Sequence, residues 1–288
     1  MQEKEIHRMA IKEWIKKNKL IVKMYEDIYM FRMFWKARKN AEYAKSLLTE
    51  KEIAKIKSYH NIHAGERCFI VGSGPSLTSE DLELIKNEYS FSVNTCYRAY
   101  ENTDWRADYY LCVDDNAVGY IKEALEYKNT FKGMFCSVLA EDLYEDNNFV
   151  HLPVNGECVF NLGTIHNKLF PNFFPEARFS EDITQTIYCG KTVVYPCVEL
   201  AAYMGFKEIY LLGVDCNYSA GATHTKMMSY QIDDSGMKSL LVSEQLMKKQ
   251  LGALADVLKS TEVSVYNATR GGALEAFPRV TLEEVLSQ

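Results

Sequence analysis

Short runs of apolar residues recur between residues 66 and 278, separated by stretches with helical spacing or turn residues. Runs of this length are typical of strands that are buried on both faces of a sheet. The predicted strands are Cys68–Val71, Phe91–Asn94, Asp108–Val113, Met134–Val138, Phe149–Val154, Glu208–Leu212 and Val263–Tyr266. Because strands alternate with helices, the pattern predicts an α/β fold, a Rossmann-like parallel sheet with helices on both faces and right-handed crossovers.

The helices between these strands are marked by their end signals. The first begins near Thr78, where this residue or the following serine can act as the N-cap, and runs to about Lys86. A second helix is predicted over Thr192–Met204, and Gly205 ends it. A third helix covers 238–259 and precedes the last strand.

The chain divides into two parts of different character. Residues 1–62 are predicted to form a basic and aromatic helical extension, and residues 63–288 a Rossmann-like domain. In residues 156–190, Asn, Phe, Pro and Gly alternate without a regular period. This segment and residues 217–237 are therefore predicted to form a small lid over a site at the edge of the sheet.

The first 58 residues contain neither Pro nor Gly and are predicted to be helical throughout. Aromatic residues interleave with lysines there, a composition that suits the headgroup layer of an anionic membrane. A helix that packs on the body or on a second subunit, with its lysines in water, explains the same pattern. The sequence leaves both open, as peripheral membrane contact through residues 1–60 or as protein packing, and a homo-oligomer is expected.

Charge is distributed unevenly between these parts. Residues 1–65 carry 15 Lys and Arg against 8 Asp and Glu, whereas the whole chain has a net charge of −6. The remaining residues therefore carry a net charge of −13. Such an acidic body disfavours binding to nucleic acid.

Eight cysteines are present, and none forms a Cys-x-x-Cys pair. Most lie inside apolar runs, so they are predicted to be reduced, buried thiols of a cytoplasmic protein, and a structural zinc site is not expected. No signal-peptide pattern and no apolar run of about 20 residues is found. The predicted location is the cytoplasm, or the inner face of the cell membrane if the N-terminal helix binds lipid.

Polar residues follow the predicted strands at the points where the strands end. In open α/β sheets, ligands bind along this carboxyl edge, at the position where the strand order reverses. A single Asn or Asp there could be a loop cap, but several strand ends share the feature. The residues concerned are Gly72, Ser73, Gly74, Asn94, Asp114, Asp115, Asn116, Asp215, Asn217, Tyr218 and Asn267.

The turn at Gly72–Gly74 directly follows the most apolar strand. Glycines there let the backbone turn tightly and let its N–H groups approach a ligand, and Pro75 is suited to a first helical turn. A strand, a glycine turn and a helix start together predict a phosphate site. The segment matches neither the dinucleotide fingerprint, because its sixth position is Leu77, nor the P-loop, because no Gly-Lys-Ser/Thr follows.

Three segments carry a resemblance to a known superfamily. They read Gly-Ser-Gly-Pro-Ser-Leu from residue 72, Ser-Val-Asn-Thr-Cys-Tyr from residue 92 and Gly-Phe-Lys-Glu-Ile-Tyr-Leu-Leu-Gly-Val-Asp from residue 205. They resemble the bacterial sialyltransferases of glycosyltransferase family 42. They also resemble the wider superfamily that holds the motility accessory factors and the archaeal-type 6-hydroxymethylpterin diphosphokinases.

The sialyltransferase resemblance implies a transferase that moves a nonulosonic acid from a CMP-activated donor to a hydroxyl of a glycan or glycolipid acceptor. Its fold would be a Rossmann-like sheet with a small lid, and no metal or other cofactor would be required. The donor site predicted from the strand ends and from this resemblance comprises Gly72, Ser73, Gly74, Pro75, Ser76, Asn94, Asp114, Asp115, Asn116, Thr192, Gly213, Val214, Asp215 and Asn217.

The resemblance also implies two catalytic residues. In that family a histidine in the lid deprotonates the acceptor hydroxyl, and tyrosines hydrogen-bond the departing phosphate; the matching positions here are His224 and Tyr218. A neutral imidazole can accept this proton near pH 7, and a phenol can stabilise charge on the phosphate. His151 and His166 are weaker candidates for the base.

The sequence departs from the sialyltransferase pattern at three positions. Ser73 replaces an asparagine, and Thr192 is followed by two valines rather than by Ser-Gly. Asn217 stands where the family has the first phosphate-binding tyrosine. These differences bear on the identity of the donor.

Two alternatives belong to other classes. The diphosphokinase resemblance implies transfer of diphosphate from ATP to a hydroxymethylpterin, with Mg²⁺ held by Asp114, Asp115 and Asp215. The same carboxylates could hold a metal for a nucleotide-diphosphate sugar. The third interpretation is a non-catalytic partner of a polysaccharide-assembly complex.

Overall fold

The computed structural model describes residues 18–114, 118–140, 148–155, 178–190, 192–218 and 234–287. Within them the strands, in chain order, are β1 (Arg67–Val71), β2 (Ser90–Val93), β3 (Tyr109–Cys112), β4 (Gly133–Ser137), β5 (Phe149–Leu152), β6 (Val154–Asn155), β7 (Ile187–Tyr188), β8 (Glu208–Leu212) and β9 (Ser264–Asn267). The α-helices are α1 (Lys19–Leu47), α2 (Glu50–Lys57), α3 (Ser79–Leu84), α4 (Val118–Ala124), α5 (Val194–Tyr203), α6 (Asp234–Leu258) and α7 (Leu282–Leu286). Short 3₁₀ helices cover Cys96–Glu101 and Leu125–Tyr127.

Seven of the described strands form one sheet in the order β5-β4-β3-β2-β1-β8-β9. Every neighbouring pair runs parallel. The chain adds strands outward from β1 to β5 and then returns to the other side of β1 to form β8 and β9. This topology confirms the predicted Rossmann-like α/β class, and the strand order reverses between β1 and β8.

The strand predictions hold to within about one residue except at the end of β5. This strand stops at Leu152 because the next residue, Pro153, has no N–H to donate to the ladder. The Pro153 carbonyl accepts instead from the Ile187 N–H at 3.1 Å. The chain then forms β6, which pairs in parallel with β7 in a separate two-stranded sheet.

The prediction of one unbroken helix over residues 1–58 is wrong at Leu48. This residue has extended geometry, with ψ of 122°, and it separates α1 from α2. Thr49 caps α2, since its side chain accepts from the Glu52 N–H at 3.3 Å and the Glu52 carboxylate accepts from the Thr49 N–H at 2.8 Å. The Thr-x-x-Glu pattern that builds this capping box is visible in the sequence. Residues 1–17 lie outside the described part of the chain.

Helix α2 is attached to the sheet. Ile56 is fully buried, and the Lys55 ammonium donates to the Phe149 carbonyl at 2.5 Å. The Glu52 carboxylate lies 3.3 Å from Nδ1 of His151, a buried residue of β5. His151, a weaker candidate for the catalytic base, therefore contacts α2.

Helix α1 packs against β6, and Ala44 near its C-terminal end is fully buried. Toward its N-terminal end, Leu20, Met24 and Ile28 are exposed. In the described part of the chain, no helix combines the length and the apolar character that crossing a membrane requires.

The centre of the sheet is packed with aromatic rings and small apolar side chains. Phe69 stacks on Tyr210 and Tyr210 on Tyr266, with ring centroids 5.3 Å apart in both pairs, so the stack joins β1, β8 and β9. The described cysteines are free thiols, and all except Cys189 are buried, as the sequence predicts.

The amino edge of the sheet is closed by His63, which precedes β1 and is 7% exposed. Its Nδ1 lies 2.5 Å from the Glu66 carboxylate and its Nε2 lies 2.6 Å from the Tyr109 hydroxyl of β3. The ring also stacks on Phe206 with centroids 4.4 Å apart. These contacts tie the segment after α2 to β3 and to the turn before β8.

Replacing Tyr109 by Phe should destabilise the fold, because it removes the hydrogen-bond partner of a buried imidazole nitrogen. We expect the free energy of unfolding, measured by urea titration, to fall by about 1–3 kcal/mol. Tyr59→Phe is the control. The Tyr59 hydroxyl donates to the Lys132 carbonyl at 3.2 Å in an exposed position, where water can replace the lost donor. Equal losses in the two variants would contradict this role for His63.

Candidate functional site

Strand β1 lies at the point where the strand order reverses, with β2 on one side and β8 on the other. The loops that follow β1 and β8 therefore leave the same edge of the sheet. In open α/β sheets, ligands bind in a crevice outside this edge, where the strand order reverses. This edge brings together the segments 72–76 and 213–215, which the sequence predicts to share a site.

The two loops pack directly against each other through glycines. The Gly72 N–H donates to the Leu212 carbonyl and the Gly74 N–H donates to the Gly213 carbonyl, each at 2.8 Å. A Cβ added at Gly74 would lie 1.9 Å from Oδ2 of Asp215 and 2.5 Å from the Gly213 carbonyl. Glycine is thus required at position 74 by contact between the loops, independently of any ligand.

Asp215 fixes the shape of the first loop. Its carboxylate accepts from the Ser76 hydroxyl at 2.9 Å and also from the Ser76 N–H. Burial raises the pKa of Asp215, and the hydrogen bonds from Ser76 oppose this rise. The carboxylate is therefore hydrogen-bonded within the protein. Its contact with the donor stays a prediction.

The loop after β9 supports Asp215 and its neighbour from the other side. The Ala273 N–H donates to the Asp215 carbonyl at 2.7 Å, and the Thr269 hydroxyl accepts from the Val214 N–H at 3.0 Å. The carboxamide of Asn267 is used within this loop, where it donates to the Leu274 carbonyl at 2.8 Å and accepts from the Thr269 N–H at 3.0 Å. Asn267, predicted to lie along the ligand edge, therefore stabilises a loop.

In the described part of this edge, Ser73 and Asn94 carry polar groups without a hydrogen-bond partner. Val71 of β1 pairs with Ser92 of β2, and Ser73 and Asn94 each come two positions after these paired residues. Asn94 has no hydrogen-bond partner for its buried Oδ1. Ser73 forms no hydrogen bond to the described part of the chain through its N–H or hydroxyl. The donors of Ser73 and the acceptor of Asn94 thus follow the ends of two neighbouring strands.

Backbone strain is found beside the same crevice. Asn94 has φ of 52° and Cys216 has φ of 47°, in the left-handed region that non-glycine residues rarely adopt. These residues follow β2 and β8, the two neighbours of β1. Positions of this kind persist where the surrounding structure holds them, and they are frequent at functional sites. The third described residue of this kind, Asn61, precedes β1 at the opposite edge.

The helix start predicted near Thr78 is confirmed, whereas the first helical turn expected at Pro75 does not form. Pro75 lies in a turn, and α3 begins at Ser79 with Thr78 as its N-cap. The Thr78 hydroxyl accepts from the Asp81 N–H at 3.2 Å, so the helix terminus is capped by its own side chain. The phosphate site predicted here therefore depends on the loop rather than on the end of α3.

The remaining predicted residues fall in several places. Asp114 is exposed at the end of β3. The Thr192 hydroxyl accepts from the Val194 N–H at 3.4 Å, at the start of α5. Asn217 and Tyr218 follow Cys216 and are half-buried. Four of the predicted residues lie outside the described part of the chain: Asp115, Asn116, His166 and His224.

Two of the carboxylates named for Mg²⁺ lie in the described part of the chain, and they follow strands that are not neighbours. Asp114 follows β3 and Asp215 follows β8, and these strands are three positions apart in the sheet, about 14 Å at the usual strand spacing. Among the described residues, no group of three or more His, Cys, Asp and Glu side chains is placed to bind a metal.

Glu199 is a buried residue that the sequence reasoning missed. It lies on α5, is fully buried, and accepts from the Ser180 N–H at 2.7 Å and from the Tyr188 N–H at 2.6 Å. Burial raises the pKa of Glu199 well above its usual value, and the two N–H donors oppose this rise. Glu199 anchors the end of the predicted lid segment 156–190. Its signal in the sequence is a lone charge within an apolar helix.

An ion pair on α6, which the sequence analysis does not predict, lies near the crevice. Lys248 and Glu244 form an ion pair at 2.7 Å, and Glu244 is buried. Burial raises the pKa of Cys216 to about 11, and the nearby Lys248 opposes this effect. The pair therefore lies close to the loop that carries Asp215.

Comparisons with known proteins agree with the predicted superfamily. A family model described as 6-hydroxymethylpterin diphosphokinase MptE-like matches residues 40–221. Among solved structures, a MAf glycosyltransferase from Magnetospirillum magneticum AMB-1 is similar, with 17% identity and a TM-score of 0.43. The match covers 81% of this chain and 38% of that protein. No curated protein matches the sequence.

Replacing Gly74 by Ala should distort the loop that follows β1, because the new methyl group would overlap Asp215 and the Gly213 carbonyl. We expect the free energy of unfolding to fall by about 1–3 kcal/mol in urea titrations. Gly119→Ala is the matched control, since nothing lies within 4 Å of a Cβ built there, on α4. Ala at that position should be neutral or stabilising by up to about 1 kcal/mol; a stable Gly74→Ala variant would refute the packing argument.

Replacing Glu199 by Gln should flatten the pH dependence of stability. The unfolded chain loses this proton near pH 4.3, about the ordinary carboxyl pKa, whereas the folded chain keeps it to higher pH. The stabilisation from this group is therefore full below about pH 4.3 and is lost as the pH rises toward the folded pKa.

Urea titrations at a series of pH values above about 4.3 measure this effect. The wild-type free energy of unfolding should fall more with rising pH than that of Glu199→Gln. The control is Glu262→Gln, an exposed carboxyl whose pKa is lowered by Lys207 and whose titration therefore lies below this window. Parallel curves for the wild type and Glu199→Gln would show that Glu199 does not titrate as proposed.

Proposed function

Because this chain belongs to the 6-hydroxymethylpterin diphosphokinase MptE-like family, we propose that it is a transferase whose nucleotide-activated substrate binds at the carboxyl edge of β1, β2 and β8. The site lies where the strand order reverses, and two strained residues flank it. Both features are typical of ligand sites in open α/β sheets.

The observation that carries this proposal is the pair of unused polar residues Ser73 and Asn94. The N–H and hydroxyl of Ser73 are donors that suit a phosphate oxygen. The Asn94 oxygen is an acceptor that suits a ribose hydroxyl or the amino group of a base. A buried acceptor without a partner costs about 1–3 kcal/mol, and a ligand that donates to Asn94 would remove this cost.

Sugar transfer is the chemistry that the sequence resemblance favours. The acceptor hydroxyl would attack the anomeric carbon of a nonulosonic acid while the bond from that carbon to the phosphate oxygen of CMP breaks. The hydroxyl proton would pass to His224, and Tyr218 would stabilise the charge on the departing phosphate. Tyr218 follows the Asp215 loop directly, in agreement with this role. The base, the sugar and the glycan acceptor come from the sequence resemblance.

Diphosphate transfer from ATP to a hydroxymethylpterin is the second candidate, and the description of the matched family favours it. This reaction calls for Mg²⁺ beside the transferred phosphates. Asp114 and Asp215 follow strands that are three positions apart in the sheet, and the Asp215 carboxylate accepts from Ser76, which argues against a shared ion. We therefore place this reaction second.

A thermal-shift series with CMP, CDP, UDP, GDP and ATP, each with and without Mg²⁺, tests the proposal. A nucleotide present at 100 times its Kd should raise the melting temperature by about 5–10 °C. A shift with CMP that needs no Mg²⁺ supports sugar transfer, and a shift confined to ATP with Mg²⁺ supports the second candidate. If none of these nucleotides raises the melting temperature, the proposed function fails and a non-catalytic partner becomes the better interpretation.

The variant Asn94→Gly tests whether the Asn94 carboxamide contacts the nucleotide. Glycine keeps the left-handed backbone and removes only the carboxamide, so we expect unchanged folding and about tenfold weaker nucleotide binding. Asn61→Gly is the matched control, because Asn61 also has positive φ, 56°, but precedes β1 at the opposite edge of the sheet. If both variants bind equally well, Asn94 does not contact the nucleotide.

His224→Ala separates chemistry from binding. If His224 is the base, this variant should keep the nucleotide-induced thermal shift and lose sugar transfer. Transfer at the wild-type rate would remove His224 from the mechanism without affecting the proposed nucleotide site.

A further inference from the structure

The first three turns of α1 carry a row of exposed apolar side chains. Leu20, Met24 and Ile28 are 78%, 55% and 49% exposed. They are spaced four residues apart, so they lie along one ridge of the helix. We call these three residues the apolar ridge.

The same row continues with positive charge. Arg32 and Lys36, at the next two positions of the four-residue spacing, are both exposed. Arg38 and Lys39 are exposed beside them, and the Arg38 guanidinium lies 5.6 Å from the ring centroid of Trp35. The exposed row of α1 thus changes from apolar to basic along about 30 Å of helix.

We propose that α1 docks on an anionic membrane surface, with the apolar ridge inserted among the lipid chains and Arg32 and Lys36 at the headgroups. On a helix that lies along the surface, aliphatic side chains can enter the acyl layer and long basic side chains can reach the headgroups. The basic residues select anionic lipid by charge, which an apolar row alone would not do. This inference does not depend on the proposed reaction.

A second copy of the chain is a weaker occupant. A stable protein interface buries roughly 800 Å² on each partner, and three aliphatic side chains supply well under this area. In a parallel contact between two α1 helices, the basic residues that follow the ridge would face their own like charges, and an antiparallel contact would leave them outside the interface. An anionic bilayer instead complements the charge and accepts a narrow apolar row.

Flotation of the full chain with vesicles tests the proposal. Vesicles of phosphatidylcholine with phosphatidylglycerol should bind the protein, vesicles of phosphatidylcholine alone should bind it about tenfold less, and added salt should weaken the binding. Failure of the wild-type chain to float with the anionic vesicles overturns the proposal.

Separate substitutions test the apolar part and the basic part of the proposed surface. The triple variant Leu20→Glu, Met24→Glu and Ile28→Glu should lose binding to anionic vesicles, and Arg32→Glu with Lys36→Glu should lose the preference for anionic lipid. Leu84→Glu is the matched control, since Leu84 on α3 is 51% exposed and lies outside this surface. Its binding should equal that of the wild type.

The mass of the chain in solution, measured by light scattering, identifies the competing outcome. If the triple variant converts a dimer to a monomer while vesicle binding is absent or unchanged, the apolar ridge is a protein interface and the membrane proposal is wrong. Unchanged melting temperatures for all variants would show that these effects do not arise from unfolding.

Discussion

The contact between the loops that follow β1 and β8 determines the shape of the candidate site. Two backbone hydrogen bonds join Gly72 and Gly74 to the second loop, and the Asp215 carboxylate holds Ser76. No side chain fits between them at Gly74. With Ser76 and both glycines held, Ser73 is the residue of this loop whose N–H and hydroxyl remain available. It follows β1, and Asn94 follows the neighbouring strand β2.

Much of the fold is predictable from the sequence because its strands are buried on both faces. Strands such as Arg67–Val71 and Glu208–Leu212 appear as short continuous apolar runs, and the intervening segments are too long for hairpins. The order of the strands is harder to predict. It depends on where the chain returns past β1, and the pattern predicts only that a reversal exists and that ligands bind beside it.

The errors have local physical causes. The break at Leu48 comes from a capping box at Thr49, a short-range signal that outweighs the helical spacing around it. A capping box at Thr78 likewise sets the start of α3, and there the sequence predicts it. Hydrogen-bonding roles could not be predicted, since whether Asn267 serves a ligand or its own loop depends on three-dimensional contacts. Glu199 shows the reverse case, in which an isolated charge in an apolar helix serves two distant N–H groups.

The hydrogen bond between Asp215 and Ser76 gives the Gly-x-Asp segment after β8 a structural role, so this segment alone does not indicate the substrate. An aspartate that holds a serine of the opposite loop is retained for architecture, whatever compound the crevice accepts. Chains with different substrates can therefore share this segment. A change of substrate would instead change nearby residues that form no such structural hydrogen bond. Sorting relatives by the residues aligned with Ser73 and Asn94, rather than by the shared glycines and aspartate, would group them by ligand.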